Sequence, residues 1–392
     1  MKLVVIGLGQ CGGRIADEFA RLNVKAISQR GIEIVNSSFA VNTDVADLSG
    51  LRRVRSDFQH RILIGDRKTG GHGVGKINEL GAEVAKEDAD KVIEAISATK
   101  RLPEADAFLL IAGAAGGTGS GAIAIMTQSI KERFIDKPVY NLVVLPFEHE
   151  EQTEERTVYN AATCLKSCYL VADAVILIDN QRYIRRDASL RNNLDKINAL
   201  IAEPFYNLLC AGEEKQYKYI GAKVLDAGDI IQTLVGWTVI GYSNAAPSFF
   251  KFLSQQTHDF RKKSAETQKS IQAMDQAISR LSVHTNPADA RRALYLIAAP
   301  AGEINMDMVK ELGTHLKSLA TGAIIRSGDY PRDKSSSLDV SVILSEFSDV
   351  AKIRQYFTKT ISLISTLQKR QEGIESSNRA LDGTLKDIPS LL

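Results

Sequence analysis

Cysteine is scarce in this chain. Cys11, Cys164, Cys168 and Cys210 are the only thiols in 392 residues, and their spacing makes no metal-ligand pattern. A disulfide scaffold is excluded, and apolar-flanked thiols fit a reducing cytosol. Cys164 and Cys168 stand four apart in a helix-like segment, which predicts a buried thiol pair. Charge of one sign is lacking too: 49 basic residues against 47 acidic ones leave a net of +2. That balance provides no electrostatic footprint for nucleic acid or an anionic membrane, so no nucleic-acid partner is expected. No apolar run reaches the ~20 residues of a membrane span. Met1 to Ile6 enters a strand directly, so no signal peptide and a cytoplasmic location are expected. Hydrophobic content of 44% and charged content of 24% are those of a globular protein. The length exceeds one ordinary core, so two domains are expected.

What is present is glycine, clustered. Gly113-Ala114-Ala115-Gly116-Gly117-Thr118-Gly119-Ser120-Gly121 follows an apolar run, Ala107 to Ala112, and precedes the helix-like Ala122 to Met126. A glycine turn between strand and helix aims successive N–H groups inward, and the helix N-terminus adds partial positive charge. Thr118 and Ser120 add hydroxyl donors. No Gly-Lys-Ser/Thr closes the loop, so this is no Walker A motif and backbone amides grip the phosphate. A second strand–glycine–helix unit opens the chain: Leu3 to Ile6, then Gly7-Leu8-Gly9-Gln10-Cys11-Gly12-Gly13, then a helix from Arg14. Alone it satisfies the Gly-x-Gly-x-x-Gly dinucleotide fingerprint, with Glu33 near the spacing of a ribose-binding acid. A nicotinamide oxidoreductase is therefore one reading. Against it, Ser38 to Val41 makes a better second strand, ending in Asn42-Thr43-Asp44. A third loop, Gly70-Gly71-His72-Gly73-Val74-Gly75, precedes a helical stretch from Asn78 to Lys100, and His72 reads as a loop residue.

These pieces together closely resemble the tubulin/FtsZ superfamily of GTPases. Gly116 to Gly121 matches its signature loop, Gly9-Gln10-Cys11-Gly12 the first nucleotide loop of tubulins, and Asn42-Thr43-Asp44 the second loop of FtsZ. Gly71 to Gly75 with Glu79-Leu80-Gly81-Ala82 is similar to the archaeal CetZ branch, where this loop faces the terminal phosphate. The resemblance spans roughly residues 1–360. It implies GTP/GDP and Mg²⁺ as ligands, with Gly9, Gln10, Cys11, Gly12, Gly13, Arg14, Asn42, Gly73, Gly116, Gly117, Thr118, Gly119 and Ser120 around the phosphates. A Glu from the acidic segment 148–155 would bond the ribose. Glu154 is chosen, with Glu150, Glu151 and Glu155 open. Asn180 would contact base or ribose, and Asn198, on the central helix, would contact guanine.

Later in the chain, Asp226 and Asp229 stand three apart at a helix start. By local chemistry they read as an N-cap and a first-turn charge. The resemblance makes them catalytic acids that position water on the nucleotide of the next subunit in a head-to-tail filament. Val224 stands where FtsZ carries an Asn. The expected architecture is α/β: a Rossmann-like GTPase domain with a parallel sheet over residues 1–189, a long central helix at 190–215, a C-terminal α+β domain at 216–365, and a flexible tail at 366–392. Pro204 is expected to kink or break the central helix. The implied role is a cytoskeletal GTPase in cell shape, with FtsZ-like division as the alternative. The tail is a candidate contact for a membrane, division or shape partner. No protein metal site is expected.

Overall fold

The computed structural model describes residues 1–184, 190–245, 259–301, 304–332 and 337–364. The tail, 365–392, lies outside them. Alternation of apolar strand and helix builds the first half. β1 (Leu3–Leu8) leads into α1 (Gly9–Arg30), β2 (Val35–Asn42) into α2 (Val45–Ser49), and β3 (Arg61–Leu63) into α3 (Asp66–Thr69), α4 (Asn78–Glu87) and α5 (Ala89–Ser97). Then come β4 (Ala107–Gly113), α6 (Thr118–Arg133), β5 (Val139–Leu145), α7 (Glu148–Thr153), α8 (Glu155–Val171) and β6 (Ala174–Asp179). The helix expected from Asn78 to Lys100 is two helices. They part at Asp88, whose carboxylate accepts the Gly65 N–H at 2.6 Å and so ties the junction to the preceding loop.

Every residue of β1 and of β5 is buried, as strands covered on both faces require. Side chains alternate between two cores. Val4, Ile6 and Leu8 point to the side covered by α4, α6 and α8, and Leu3 and Val5 to the side covered by α1 and α9 (Leu190–Ala211). Phe19 of α1 meets Phe205 of α9 with ring centroids 5.4 Å apart.

α9 has 22 residues, about 33 Å of helix. The expected break at Pro204 does not occur, because the helix continues through it. Ile201, Ala202, Phe205 and Tyr206 are all buried around it. That burial offsets the roughly 3 kcal/mol a helical proline costs. The Pro204 carbonyl also accepts the buried Ser341 hydroxyl at 3.4 Å.

The second half comprises α10 (Ala227–Thr233), β7 (Gly236–Ala245), α11 (Asp259–Ser279), β8 (Arg292–Ala299), α12 (Met306–Leu319), β9 (Ile324–Pro331), β10 (Leu338–Ser345) and α13 (351–364). Its strands do not form a separate sheet. The described strands form one ten-stranded sheet, β3-β2-β1-β4-β5-β6-β7-β10-β8-β9. β1 to β6 are parallel, and β7 joins β6 in parallel over Ala174–Ile176 and Gly236–Thr238. β10 is antiparallel to β7 and β8, and β8 is parallel to β9. The fold is therefore a mostly parallel α/β sheet extended by a mixed C-terminal part.

Candidate functional site

The carboxyl ends of β1, β4, β5 and β6 converge on one edge, where an open parallel sheet binds ligands. A cavity of about 390 Å³ lies there. α1 and α6 both point their amino termini at it. Neither helix has a side-chain N-cap or an acid in its first turn, so their first N–H groups stay available. Gly9 adopts φ +68°, and a Cβ there would stand 2.9 Å from the Gly119 nitrogen, so the first loop and the signature loop touch.

Gly9, Gln10, Cys11, Arg14, Asn42, Gly73, Gly116, Gly117, Thr118, Gly119, Asn180 and Asn198 line the cavity. Gly12 and Gly13 do not. A Cβ on Gly12 would lie 2.0 Å from the Ile111 carbonyl oxygen, so this glycine lets α1 start flat against β4. Ser120 turns its hydroxyl back to the Gly116 carbonyl and is buried, so it braces the loop from behind. Thr118 and Thr43 share a hydroxyl hydrogen bond of 2.6 Å. Burial pushes the Cys11 thiol up to about 12, away from the thiolate range. Cys164 and Cys168 are buried one turn apart in α8, and the hydrogen bond between them, with burial, raises the Cys164 thiol well above its usual range.

The acidic segment divides its labour. Glu150 lines the cavity, with its carboxylate accepting the Phe147 N–H at 2.9 Å. Glu151 turns the other way to α13, meeting Tyr356 Oη at 2.6 Å, Lys359 Nζ at 3.0 Å and Lys352 Nζ at 3.1 Å. Burial pushes its carboxyl up, and those three partners outweigh the effect and hold it below the usual range. Glu154 pairs with Lys76 and does not line the cavity, while Glu155 is exposed at the start of α8.

Asp44, part of the second loop of the resemblance, also lines the cavity, together with Asp47, Lys76 and Phe147, which the motifs do not include. Asp47 accepts Gln10 Nε2 at 2.7 Å and Asn42 Nδ2 at 3.1 Å. Asp44 caps α2 through the Asp47 N–H at 3.0 Å. An Asp three residues before a second Asp at a strand end was the available signal for both. Glu33 lies before β2, at the amino end of the strand, and pairs with Arg101. A ribose-binding acid belongs at the carboxyl end, so the nicotinamide reading loses its acid.

Asp226 and Asp229 stand at the other end of the molecule. The Met1 ammonium donates to the Leu209 carbonyl at 3.0 Å and pairs with Glu213 at 2.8 Å, so the end of α9 lies at the amino ends of the parallel strands. A Cβ on Gly212 would meet Leu225 and Asp226 backbone. From Asn198 at the cavity to Ala211 is about 20 Å along the helix. Asp226 caps α10, accepting the Asp229 N–H at 2.8 Å, and is exposed. Asp229 lies 3.4 Å from Arg326. Cavity and acids do not meet within one chain.

A phosphate-type cavity at the edge of this sheet, a long helix beside it and a mixed C-terminal extension define the tubulin/FtsZ class of fold. The comparisons agree. The model of the Tubulin/FtsZ family, GTPase domain, matches residues 2–186, and that of the Tubulin-like CetZ, C-terminal domain, matches residues 187–362. The chain belongs to the Tubulin/FtsZ family and to its CetZ branch. Tubulin-like protein CetZ1 of Haloferax volcanii is 33% identical over 371 residues, 91% of this chain and 90% of that protein. CetZ of Pyrococcus abyssi is 27% identical over 395 residues, 99% of this chain and 97% of that protein. Among solved structures, the GDP-bound CetZ1 monomer of H. volcanii superposes with a TM-score of 0.78 at 29% identity, covering 93% of this chain and 99% of that one. The GTPγS-bound CetZ2 protofilament of the same organism gives 0.78 at 29%, covering 94% and 100%.

Proposed function

We propose that this protein binds GTP in the cavity, stacks head to tail into filaments, and hydrolyses GTP where Asp226 and Asp229 of one subunit meet the terminal phosphate of the next. The observation that carries this reading is the separation of an uncapped double helix N-terminus from the exposed Asp226 and half-buried Asp229 at the opposite end of the sheet. A heterologous contact that does not close brings those two ends together once per subunit. Solved relatives described as GDP-bound and as a GTPγS-bound protofilament support the ligand and the stacking.

In this reading the N–H groups of the first loop and of Thr118 to Ser120 hold the phosphates. Asn198, buried beside Leu194 and Ile197, reads the base edge. Glu150 is the best-placed of the four candidate acids for the ribose, in place of Glu154. Mg²⁺ fits the donor set. Among the described residues no three His, Cys, Asp or Glu cluster into a protein cage. A hydrated Mg²⁺ needs only one or two protein oxygens beside phosphates, and Asp44 and the Thr118 hydroxyl line the glycine-rich end. When bound, the ion would neutralise charge on the outer phosphates. Asp226 and Asp229 would orient water for in-line attack. Among the described residues no helix is long and apolar enough to cross a membrane, and a cytoplasmic filament acting in cell shape is the role the CetZ kinship favours.

Sedimentation of the purified chain with GTP against GDP tests the reading. Pelleting with GTP and Mg²⁺ but not with GDP is expected. Binding of NADH in place of GTP would overturn it.

A further inference from the structure

We propose that Lys76 is the residue by which this site tells a nucleoside triphosphate from a diphosphate, its ammonium exchanging Glu154 for the terminal phosphate. The proposal rests on reading the cavity as a guanine-nucleotide site.

Lys76 stands in a run of glycines, yet it is a lysine with a left-handed backbone, φ 61°. Among the described residues only Glu346 shares that feature outside glycine. Such a conformation is strained for a side-chain-bearing residue and persists where its surroundings enforce it. Here they do. The Lys76 carbonyl accepts Arg156 Nε at 3.0 Å and Asn160 Nδ2 at 2.9 Å. Asn160 is fully buried, and the same amide nitrogen also lies 3.1 Å from the Ala115 carbonyl and 3.0 Å from that of Gly116. One side chain of α8 thus clamps the lysine's backbone to the signature loop. A Cβ on Gly117 would sit 2.9 Å from Lys76 Cα, so the two loops are in contact.

That clamp stations a cation at the glycine end of the cavity. Among the described residues that line the cavity only Arg14 and Lys76 are cationic, against Asp44, Asp47 and Glu150. Asp47 and Glu150 already accept amide hydrogens. Arg14 belongs to α1, so Lys76 is the cation of the third loop. Its partner Glu154 holds it weakly: the side chains are 43% and 42% exposed, and ion pairs of that exposure contribute little. A phosphate dianion carries more charge than one carboxylate and competes for the same ammonium. A diphosphate, one group shorter, leaves Lys76 with Glu154. Nucleotide state is then written in which anion the lysine holds.

The test measures GTPγS and GDP affinity of the full chain at concentrations too low for sedimentable polymer. For Lys76→Gln, which keeps the backbone strain and drops the charge, GTPγS binding is expected to weaken about tenfold or more while GDP binding is unchanged. Lys76→Arg should restore triphosphate preference, and Glu154→Gln should raise it above wild type. Equal losses for both nucleotides in Lys76→Gln would make the lysine a loop brace and overturn the proposal, as would no loss at all. A wild-type chain that binds neither nucleotide would remove the guanine-nucleotide reading itself, and this proposal with it.

Discussion

At the scale of single residues, packing and chemistry make different demands on glycines and acids that look alike in sequence. Gly12 is there for close approach and Gly116 for openness. Gly12→Ala would drive a methyl to within 2.0 Å of the Ile111 carbonyl, backbone against backbone. A loss of about 1–3 kcal/mol or more in denaturant titration is expected, with weakened nucleotide binding. Gly116 has nothing within 4 Å of its would-be Cβ, so a side chain there fits the fold. Asp226 is a helix cap, and the proposed function gives it a second duty as a catalytic charge. Asp226→Asn keeps an oxygen to accept the Asp229 N–H and so keeps most of the cap, whose loss would cost about 1 kcal/mol. Phosphate release by Asp226→Asn is expected to fall at least about a hundredfold with nucleotide affinity and melting temperature near wild type. Wild-type turnover in that variant would reduce Asp226 to a helix cap.

At the scale of elements, α7 links the cavity to the C-terminal helix. Its neighbours Glu150 and Glu151 face opposite ways, one into the cavity and one onto α13. Glu151 is held ionised by Tyr356, Lys359 and Lys352, so its carboxyl sits lower in the folded chain than in the unfolded one. A depressed carboxyl contributes stability above its unfolded pKa and loses it as pH falls through the folded one. Docking of α13 is therefore expected to be intact near neutrality and to weaken only on acidification below the ordinary carboxylate range. Hydrogen exchange of residues 351–364 should report it, rising in acid for wild type and already raised at neutral pH in Glu151→Gln. Unchanged exchange in that variant would assign the docking to apolar contacts, such as those of buried Ile353 and Tyr356.

At the scale of the whole molecule, the proposed active site exists twice in halves and never once complete. That arrangement predicts complementation. Gly116→Asp sets a carboxylate among the phosphate amides and should abolish GTP binding without unfolding the chain. Asp226→Asn should bind GTP and not turn it over. Each variant alone is expected to be inactive. Their mixture should recover phosphate release, because the nucleotide of one variant meets the intact acids of the other. A mixture as inactive as its parts would mean that the two ends never meet across a subunit contact.

Much of the fold was legible because its signals are local. Apolar runs of the right length announced β1, β4, β5 and β6, and glycine clusters marked the loops that follow them. The spacing of the three motifs pointed to the family, which the matches over residues 2–186 and 187–362 support. Pro204 does not break α9, because burial of its neighbours outweighs one missing hydrogen bond.

Local chemistry in the chain thus determined which segments become strands, which loops can hold phosphate, and that a pair of acids opens a late helix. Only the tertiary structure decided that one sheet would run unbroken through both halves, that Glu150 rather than Glu154 would reach the cavity, and that Asp226 would lie at the far end from it. The reason is physical. Strand and turn preferences act over a few residues, whereas the direction a side chain faces and the distance between two sites depend on how a 22-residue helix lies across the sheet.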